Sequence, residues 1–395
     1  MQTVVLAAGQ GTRMRPLTEE TPKPMLPVAG RPLVERVVRG AIAAGATRIH
    51  LVVGYEADAV REHFGSLDLD VPVAFARQET QRGTADAVRA AADDLDDAPF
   101  VVLNGDVLYD RDSLQALYAE APAVGSVRVD DPTSYGVLEL AADGTVTGVV
   151  EKPADPPSDV INTGAYAFPA AALDWLDVSN SERGEAELTD VLQRACEVFA
   201  VSSVPFDRWL DVGRPWELLA ANEWALAELD FRIDGAVSED ATLDGTVVVE
   251  AGATVKPGVV IEGSVYVDAG ATVGPNAYVR GATYLGPDAR VGHAVEVKNS
   301  VLLAGATVGH LSYVGDSVLG RDVNFGAGTT VANLRHDGDT VRTTVKGERV
   351  DTGRRKLGVI CGDAVKTGIN TALNAGLVLS SGATTTPGES VTRDR

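Results

Sequence analysis

Two textures in one chain predict an α/β protein in two parts: a Rossmann-like domain with a mostly parallel sheet, then a parallel β-helix of hexapeptide repeats. Three observations carry this. Buried-strand and amphipathic-helix patterns alternate through the first half. A glycine-rich loop follows the first strand. From Val237 onward, apolar residues return every six positions.

Each element follows from its local pattern. Residues 3–6 read as a short buried strand that leads into Gly9-Gln10-Gly11. Residues 32–45 carry an apolar stripe at helical spacing and end in glycine, and 48–53 reads as the next strand. The alanine-rich stretch 83–95 is expected to be a helix, and 99–103 a strand ending in Asn104-Gly105-Asp106. Such alternation places ligands at the carboxyl ends of the strands. Residues 135–140 and 146–150 flank Asp143-Gly144 as the arms of a hairpin would. Residues 216–230 read as a connecting helix, so the domains are set at 1–228 and 229–395.

The second half has its own period. Val237, Leu243, Val249, Val255, Ile261, Val267, Val273, Val279, Leu285, Val291, Val297 and Leu303 stand six apart. Four positions after most of them sits a small or β-branched residue, such as Ala253, Ala271, Ala277, Thr283 or Ala289. Neither a helix nor an ordinary strand has this period. Three short strands per triangular coil, each with one inward side chain, do have it. Residues 18 apart then stack in one column at a strand spacing of about 4.8 Å. The register breaks between Leu303 and Val308, beside His310, and the pattern is expected to lapse until the tail 359–378. Residues 335–356 are polar and read as a protruding loop.

Composition narrows the function. The chain has 395 residues, 45% of them hydrophobic, enough for two ordinary domains. It contains no apolar run long enough for a membrane span and no signal-peptide pattern. Its two cysteines, Cys196 and Cys361, are far apart, which argues against a disulfide framework or a zinc site and fits a reducing cytoplasm. A net charge of -22 disfavours nucleic acid as a partner. Lysines number 7 against 27 arginines. An acidic, lysine-poor surface suits concentrated salt, where screening reduces self-repulsion. A merely acidic protein is the plainer reading. Lys23, Lys152 and Lys298 all fall inside the motifs below.

The loop that begins Leu6-Ala7-Ala8-Gly9-Gln10-Gly11-Thr12-Arg13 has glycines whose backbone N–H groups can approach phosphate oxygens. Met14 stands where a dinucleotide fingerprint has its third glycine, and no Gly-Lys-Ser/Thr of a Walker loop is present. Arg13 and the Lys23 of Pro22-Lys23-Pro24 suit a triphosphate. On these residues the first domain resembles the sugar-1-phosphate nucleotidylyltransferases, whose signature is Gly-x-Gly-Thr-Arg followed by Pro-Lys-Pro. The resemblance continues in Gln78 five residues before Gly83-Thr84, Asn104-Gly105-Asp106, Tyr135-Gly136, Glu151-Lys152-Pro153, Asn162-Thr163-Gly164 and Trp209-Leu210-Asp211. It implies that Leu6, Ala8, Gly9, Gly11, Thr12, Arg13, Lys23, Gln78, Gly83 and Thr84 bind the nucleotide, with Gln78 in the base-reading segment. It places Gly136, Glu151, Lys152 and Asn162 on the sugar phosphate, and Asp106 and Asp211 on Mg²⁺, a cation that takes carboxylate oxygens. Two anions must meet in this reaction, so Arg13 and Lys23 would act by neutralising charge rather than by covalent attack. Polar residues at strand ends, Glu151 and Asn162 among them, often only satisfy backbone.

The second half resembles the acetyltransferase domain of the bifunctional glucosamine-1-phosphate acetyltransferase / N-acetylglucosamine-1-phosphate uridylyltransferases, in their archaeal (here haloarchaeal) form. Gly309-His310-Leu311-Ser312-Tyr313 stands where that family has its catalytic histidine. The resemblance gives Arg280, Lys298, Tyr313, Asn324 and Asn333 to the acetyl acceptor and Ala327 to acetyl-CoA. Arg280 and Lys298 are 18 apart, so they should stack, and two stacked cations repel unless an anion lies between them. Histidine has the right pKa to take a proton from an amine attacking a thioester. Arg354-Arg355-Lys356 could meet the coenzyme's phosphates. The family's coil is left-handed and usually trimeric. The resemblance thus implies UTP or dTTP, a sugar-1-phosphate such as N-acetylglucosamine-1-phosphate or glucose-1-phosphate, Mg²⁺ and acetyl-CoA, in a cytoplasmic homotrimer. Two other readings stay open. One is a glucose-1-phosphate thymidylyltransferase or uridylyltransferase that uses the coil as an oligomerisation platform. The other is a non-catalytic regulatory scaffold. A platform needs neither His310 nor the residues grouped with it, and a scaffold needs none of Arg13, Lys23, Asp106 and Asp211.

Overall fold

The computed structural model describes residues 1–177 and 185–395. The chain forms two compact units. The first is Met1–Gln10, Pro22–Met25 and Pro32–Asp211; the second is Gly11–Thr21, Leu26–Arg31 and Val212–Arg395. Among the described residues no helix is long and apolar enough to cross a membrane.

In the first unit, Val73–Arg77, Arg48–Val53, Gln2–Ala7 and Phe100–Asn104 lie side by side and parallel. Val160–Phe168 runs antiparallel between Phe100–Asn104 and Ala123–Arg128. Val201–Pro205 follows, parallel to Ala123–Arg128, and the hairpin of Thr145–Glu151 with Gly136–Leu140 completes nine strands. Val160–Phe168 and Thr145–Glu151 run against the rest, so the four strands Val73–Arg77 to Phe100–Asn104 are parallel as expected, but the sheet beyond them is mixed rather than mostly parallel. Alternating residues feed two apolar layers: Val4, Val52 and Val102 on one face, Val5, Leu51 and Leu103 on the other. All nine residues of Val160–Phe168 are buried, because it lies mid-sheet with both faces covered. Helix Leu33–Ala44 stops at Gly45, which takes the left-handed conformation. The alanine-rich helix is shorter than expected, Thr84–Arg89 followed by a 3₁₀ turn at Ala92–Asp94. A continued helix would place Asp93 and Asp94 at the negative end of its dipole.

The second unit contains helix Pro215–Ala227, buried on most sides. Its Asn222 is fully buried, accepts the Ala29 N–H at 2.8 Å and donates to the Leu218 carbonyl at 2.9 Å. The helix thereby pins the segment 26–31. Beyond it run three parallel sheets of eight, six and eight strands, in which strands one coil apart pair. Val249 pairs with Val267 and then Leu285; Ile261 pairs with Val279 and then Val297. These side chains share one apolar core. The spacing of 18 is the one expected.

Beyond Val297 the expectations need correcting. Leu285 pairs with Leu302 rather than Leu303. One residue is lost in the turn after Lys298, ahead of His310, where Asn299 takes φ 47°. Nor does the pattern lapse. It continues at a spacing of 17, Val291 with Val308, Val297 with Val314 and Val308 with Phe325. After an insertion Leu319 pairs with Cys361, and a spacing of 18 returns, Cys361 with Leu379 and Leu373 with Val391. Threonines hid these coils. Thr367 and Thr385 follow Lys366 and Thr384 in the Phe325 column, and their hydroxyls bond those of Thr329 and Thr371 at 2.8 and 2.9 Å. The insertion is not all loop, since Arg342–Val345 and Glu348–Asp351 form an antiparallel hairpin.

Phe325 is among the largest fully buried side chains of this core. Phe325→Ala should lower unfolding free energy by about 3–5 kcal/mol, read from denaturant midpoints at unchanged slope.

Candidate active sites

The first constellation grows from the ends of two neighbouring strands. Leu6 pairs with Asn104, and the Gly105 N–H donates to the Leu6 carbonyl at 2.8 Å. A Cβ on Gly105 would come within 2.5 Å of that oxygen, so only glycine lets the turn close and deliver Asp106. The next strand, Val107–Tyr109, pairs antiparallel with Trp209–Asp211, which sets Asp211 opposite Val107. Two carboxylates remote in sequence thus meet at one end of a short ladder. The half-buried Tyr109 phenol registers both. Its pKa is pushed far up, first by burial, then by Asp106, with Asp211 adding to it. Lys23 is buried and forms an ion pair with Asp106. The Asp106 side chain is 35% exposed, so its oxygens can be reached by a ligand. Among the described residues no cluster of three or more metal-ligating side chains exists. Two carboxylates fit Mg²⁺, which fills its shell with water and substrate phosphate, better than a metal that needs an all-protein cage.

The hairpin supplies a second group. Glu151 lies opposite Gly136, and the Lys152 ammonium is 3.2 Å from Glu151 Oε1. Lys152 takes φ 45°, a conformation a non-glycine residue adopts at a cost of about 1–3 kcal/mol. Asn162 is committed to the fold. Its amide donates to the Gly136 carbonyl at 3.0 Å and accepts from the Gly164 N–H and the Tyr166 hydroxyl at 3.1 and 2.7 Å. Beside them Glu187 is raised to about 7, first by burial, then by Glu185 and Glu151, with Lys152 opposing. The Thr84 hydroxyl bonds Glu187 at 3.2 Å and accepts the Leu188 N–H at 2.9 Å. The Gln78 amide nitrogen donates to Asp86 and to the Gly83 carbonyl. Gln78, Arg82, Asp86 and Arg89 help line a cavity of about 320 Å³. Ala8 is buried and its carbonyl accepts from Gln81 at 2.7 Å, while Gly9 is exposed with open space where a Cβ would stand. Gly11, Thr12 and Arg13 belong to the other unit. There Gly11, at φ 63°, opens the 3₁₀ turn Thr12–Met14 and Arg13 is exposed.

In the coil, Arg280 and Lys298 lie in register one coil apart, as expected. They are not left to repel each other. Arg280 pairs with Glu296 and Lys298 with Asp316, both at 2.8 Å, so the stacking alone does not call for a foreign anion. Asp316 is the hub. It is 2% exposed, and its carboxylate accepts from Lys298, from Asn299 at 3.0 Å and from Asn333 at 2.6 Å. Asn333 also donates to the Tyr313 hydroxyl at 3.1 Å. Lys298, Tyr313 and Asn333 are therefore brought together. Asn299 continues to Glu223, which also binds Arg354. Burial opposes the charge on Glu223, but the hydrogen bonds from Arg354 and Asn299 outweigh it and hold its pKa below the usual value. Arg354 is thus paired with Glu223, while Arg355 and Lys356 are exposed. His310 is exposed on strand Thr307–His310, in register with His293 one coil away. Asn324 is exposed in the same sheet, opposite Thr307, and the Ala327 carbonyl accepts the Asn370 N–H at 2.7 Å. The sequence reading passed over Asp316 and Glu223. Asp316 stands one position past Gly315, the register partner of Lys298, and the residue lost after Lys298 hides that register from the sequence; Glu223 carries no local signal.

The nucleotidyl transferase family matches residues 2–228, and the GMPPB C-terminal domain family matches 261–386. The bifunctional protein GlmU of Methanococcus vannielii is 40% identical over 389 residues, covering 96% of this chain and 92% of that one. The bifunctional sugar-1-phosphate nucleotidylyltransferase/acetyltransferase of Sulfurisphaera tokodaii is 37% identical over 399 residues, covering 100% and 98%. The chain belongs to this bifunctional family. The GlmU of Pseudomonas fluorescens, 33% identical over 449 residues, extends the family likeness to a bacterial member. Both halves are matched over their length, so family membership accounts for the sheet and the coil together.

Two outcomes follow from the geometry. The folded chain binds a proton at Glu187 more tightly than an unfolded chain, whose carboxyl has the ordinary value of 4.5. This contribution is complete below pH 4.5 and lost as pH rises to about 7. Melting temperatures should therefore fall between those limits in wild type and fall less in Glu187→Gln. Asp316→Ala leaves the mostly buried Lys298 without its ion-pair partner and takes one of two acceptors from each of Asn299 and Asn333, and should cost about 3–5 kcal/mol by denaturant unfolding.

Proposed function

We propose that the chain joins a nucleoside triphosphate, UTP or dTTP, to a sugar-1-phosphate with release of pyrophosphate, and that its coil acetylates glucosamine-1-phosphate with acetyl-CoA. The observation that carries the first activity is Lys23, Asp106 and Asp211 gathered at one strand end. Arg13 and Lys23 neutralise the triphosphate. Lys152 holds the incoming sugar phosphate, with Glu151 on sugar hydroxyls. The sugar phosphate oxygen attacks the α-phosphorus in line, the α–β bridging bond breaks, and pyrophosphate carries away the electron pair. Asp106 and Asp211 would hold Mg²⁺, which when bound supplies positive charge at the phosphate oxygens.

For the second activity, the acceptor phosphate lies against Arg280 and Lys298. Asn333 and Tyr313 orient the acceptor. Its amine attacks the thioester carbonyl, His310 takes the amine proton, the carbon–sulfur bond breaks, and the thiolate leaves to be protonated. In this reading residues 1–228 and 229–395 act as the two catalytic domains, the coil is left-handed, and the enzyme is a cytoplasmic trimer suited to concentrated salt. Engagement of Lys298, Tyr313 and Asn333 in one network favours it over a coil that serves only assembly.

The test is thiol release from acetyl-CoA in molar KCl, with and without glucosamine-1-phosphate. Release should require the sugar phosphate and vanish in His310→Ala. Asp106→Ala should abolish pyrophosphate release and spare thiol release; equal loss of both would refute two independent sites.

A further inference from the structure

The amide of Gln78 has a donor end and an acceptor end, and its neighbours settle which way it faces. Its Nε2 lies 2.9 Å from Asp86 Oδ2 and 3.1 Å from the Gly83 carbonyl oxygen. Both neighbours accept and neither can donate. Turning the amide over would press its oxygen against two others at hydrogen-bond distance, on a residue only 7% exposed. The neighbours are themselves held. Arg89 grips the other oxygen of Asp86. Gly83 is wedged against Ala186, whose oxygen would lie 2.2 Å from a Cβ there. Ala186 in turn donates to the Arg82 carbonyl at 2.7 Å and accepts the Ala85 N–H at 2.9 Å.

We infer that Asp86 is a positioning residue for base selection, holding Gln78 so that its side chain offers the base an acceptor and no donor. The inference rests on the reading of Gln78 as the base-facing residue. An acceptor needs an N–H across from it. Uracil and thymine carry one at ring nitrogen 3, where cytosine has a bare lone pair. A cytosine nucleotide would set that lone pair against the Gln78 carbonyl, and the amide is not free to turn. The nucleotide selected is therefore one whose base is a pyrimidine with N3–H. The thymine methyl group plays no part in this contact.

The experiment measures pyrophosphate release by the whole enzyme with UTP (or dTTP) and with CTP, for wild type, Asp86→Asn, Asp86→Glu and Gln78→Leu. Asparagine keeps the shape of Asp86 but can donate to a turned Gln78, which leaves only the Gly83 carbonyl opposing the turn and lets the amide donate to cytosine in part of the population. The kcat/KM ratio of UTP over CTP should fall about tenfold or more in Asp86→Asn, with a gain in CTP turnover. Asp86→Glu keeps an obligate acceptor and should restore most of the preference. A wild-type ratio in Asp86→Asn, with the ratio lost in Gln78→Leu, overturns the role of Asp86 and leaves Gln78 as the base reader. An unchanged ratio in Gln78→Leu overturns the base-reading role of Gln78 and this inference together. An equal fall in both rates for Asp86→Asn is what a purely structural role would give and also overturns it.

Discussion

Backbone pairing between strands remote in sequence is the constraint on which the candidate sites depend. In the sheet, the pairing of Leu6 with Asn104 and the carbonyl–amide bond at Gly105 decide where Asp106 emerges. The short ladder of Val107–Tyr109 with Trp209–Asp211 then decides that Asp211 joins it. In the coil, parallel register alone stacks Arg280 on Lys298 and His293 on His310. A slip by one residue in any of these ladders would turn the side chains to the opposite face and dismantle the group.

Within that frame, carboxylates organise the cations. Lys23 is held by Asp106, Lys152 by Glu151, Lys298 by Asp316 and Arg280 by Glu296. In a chain of net charge -22 this is a use of acidic residues beyond solubility. A buried ion pair contributes little net stability, but it removes the freedom of a long side chain and aims its charge. Lys23 and Lys298 are mostly buried and each is aimed by one aspartate. Asp316 goes further, since Asn333 and Asn299 converge on the same carboxylate and carry the network to Glu223 and Arg354.

Much of this was legible in order along the chain. The six-residue period placed the columns of the coil through Val297, because a hydrophobic inward position repeats whenever backbone geometry repeats. It failed where chemistry replaced the apolar signal. The hydroxyls of Thr367 and Thr385 pair with those of Thr329 and Thr371, and a loss of one residue after Lys298 moved the inward position to Leu302. The short motifs pointed to Lys23, Asp106 and Asp211 separately, and the ladder joined them. They did not show that Asn162 spends its amide on Gly136, Gly164 and Tyr166, or that Arg354 is taken by Glu223.

By itself, the sequence determined the two architectures, the family, and which residue types stand at which strand ends, because period, glycine placement and motif spacing are local properties. Tertiary structure alone decided what each polar group is bonded to. The amide of Gln78 faces as it does because Asp86 and Gly83 both accept, and Lys298 is held in an ion pair because Asp316 is folded beside it. Hydrogen bonding saturates over a few ångströms, so the partner of a buried donor is set by which chain segment arrives there, and no pattern within one segment records that.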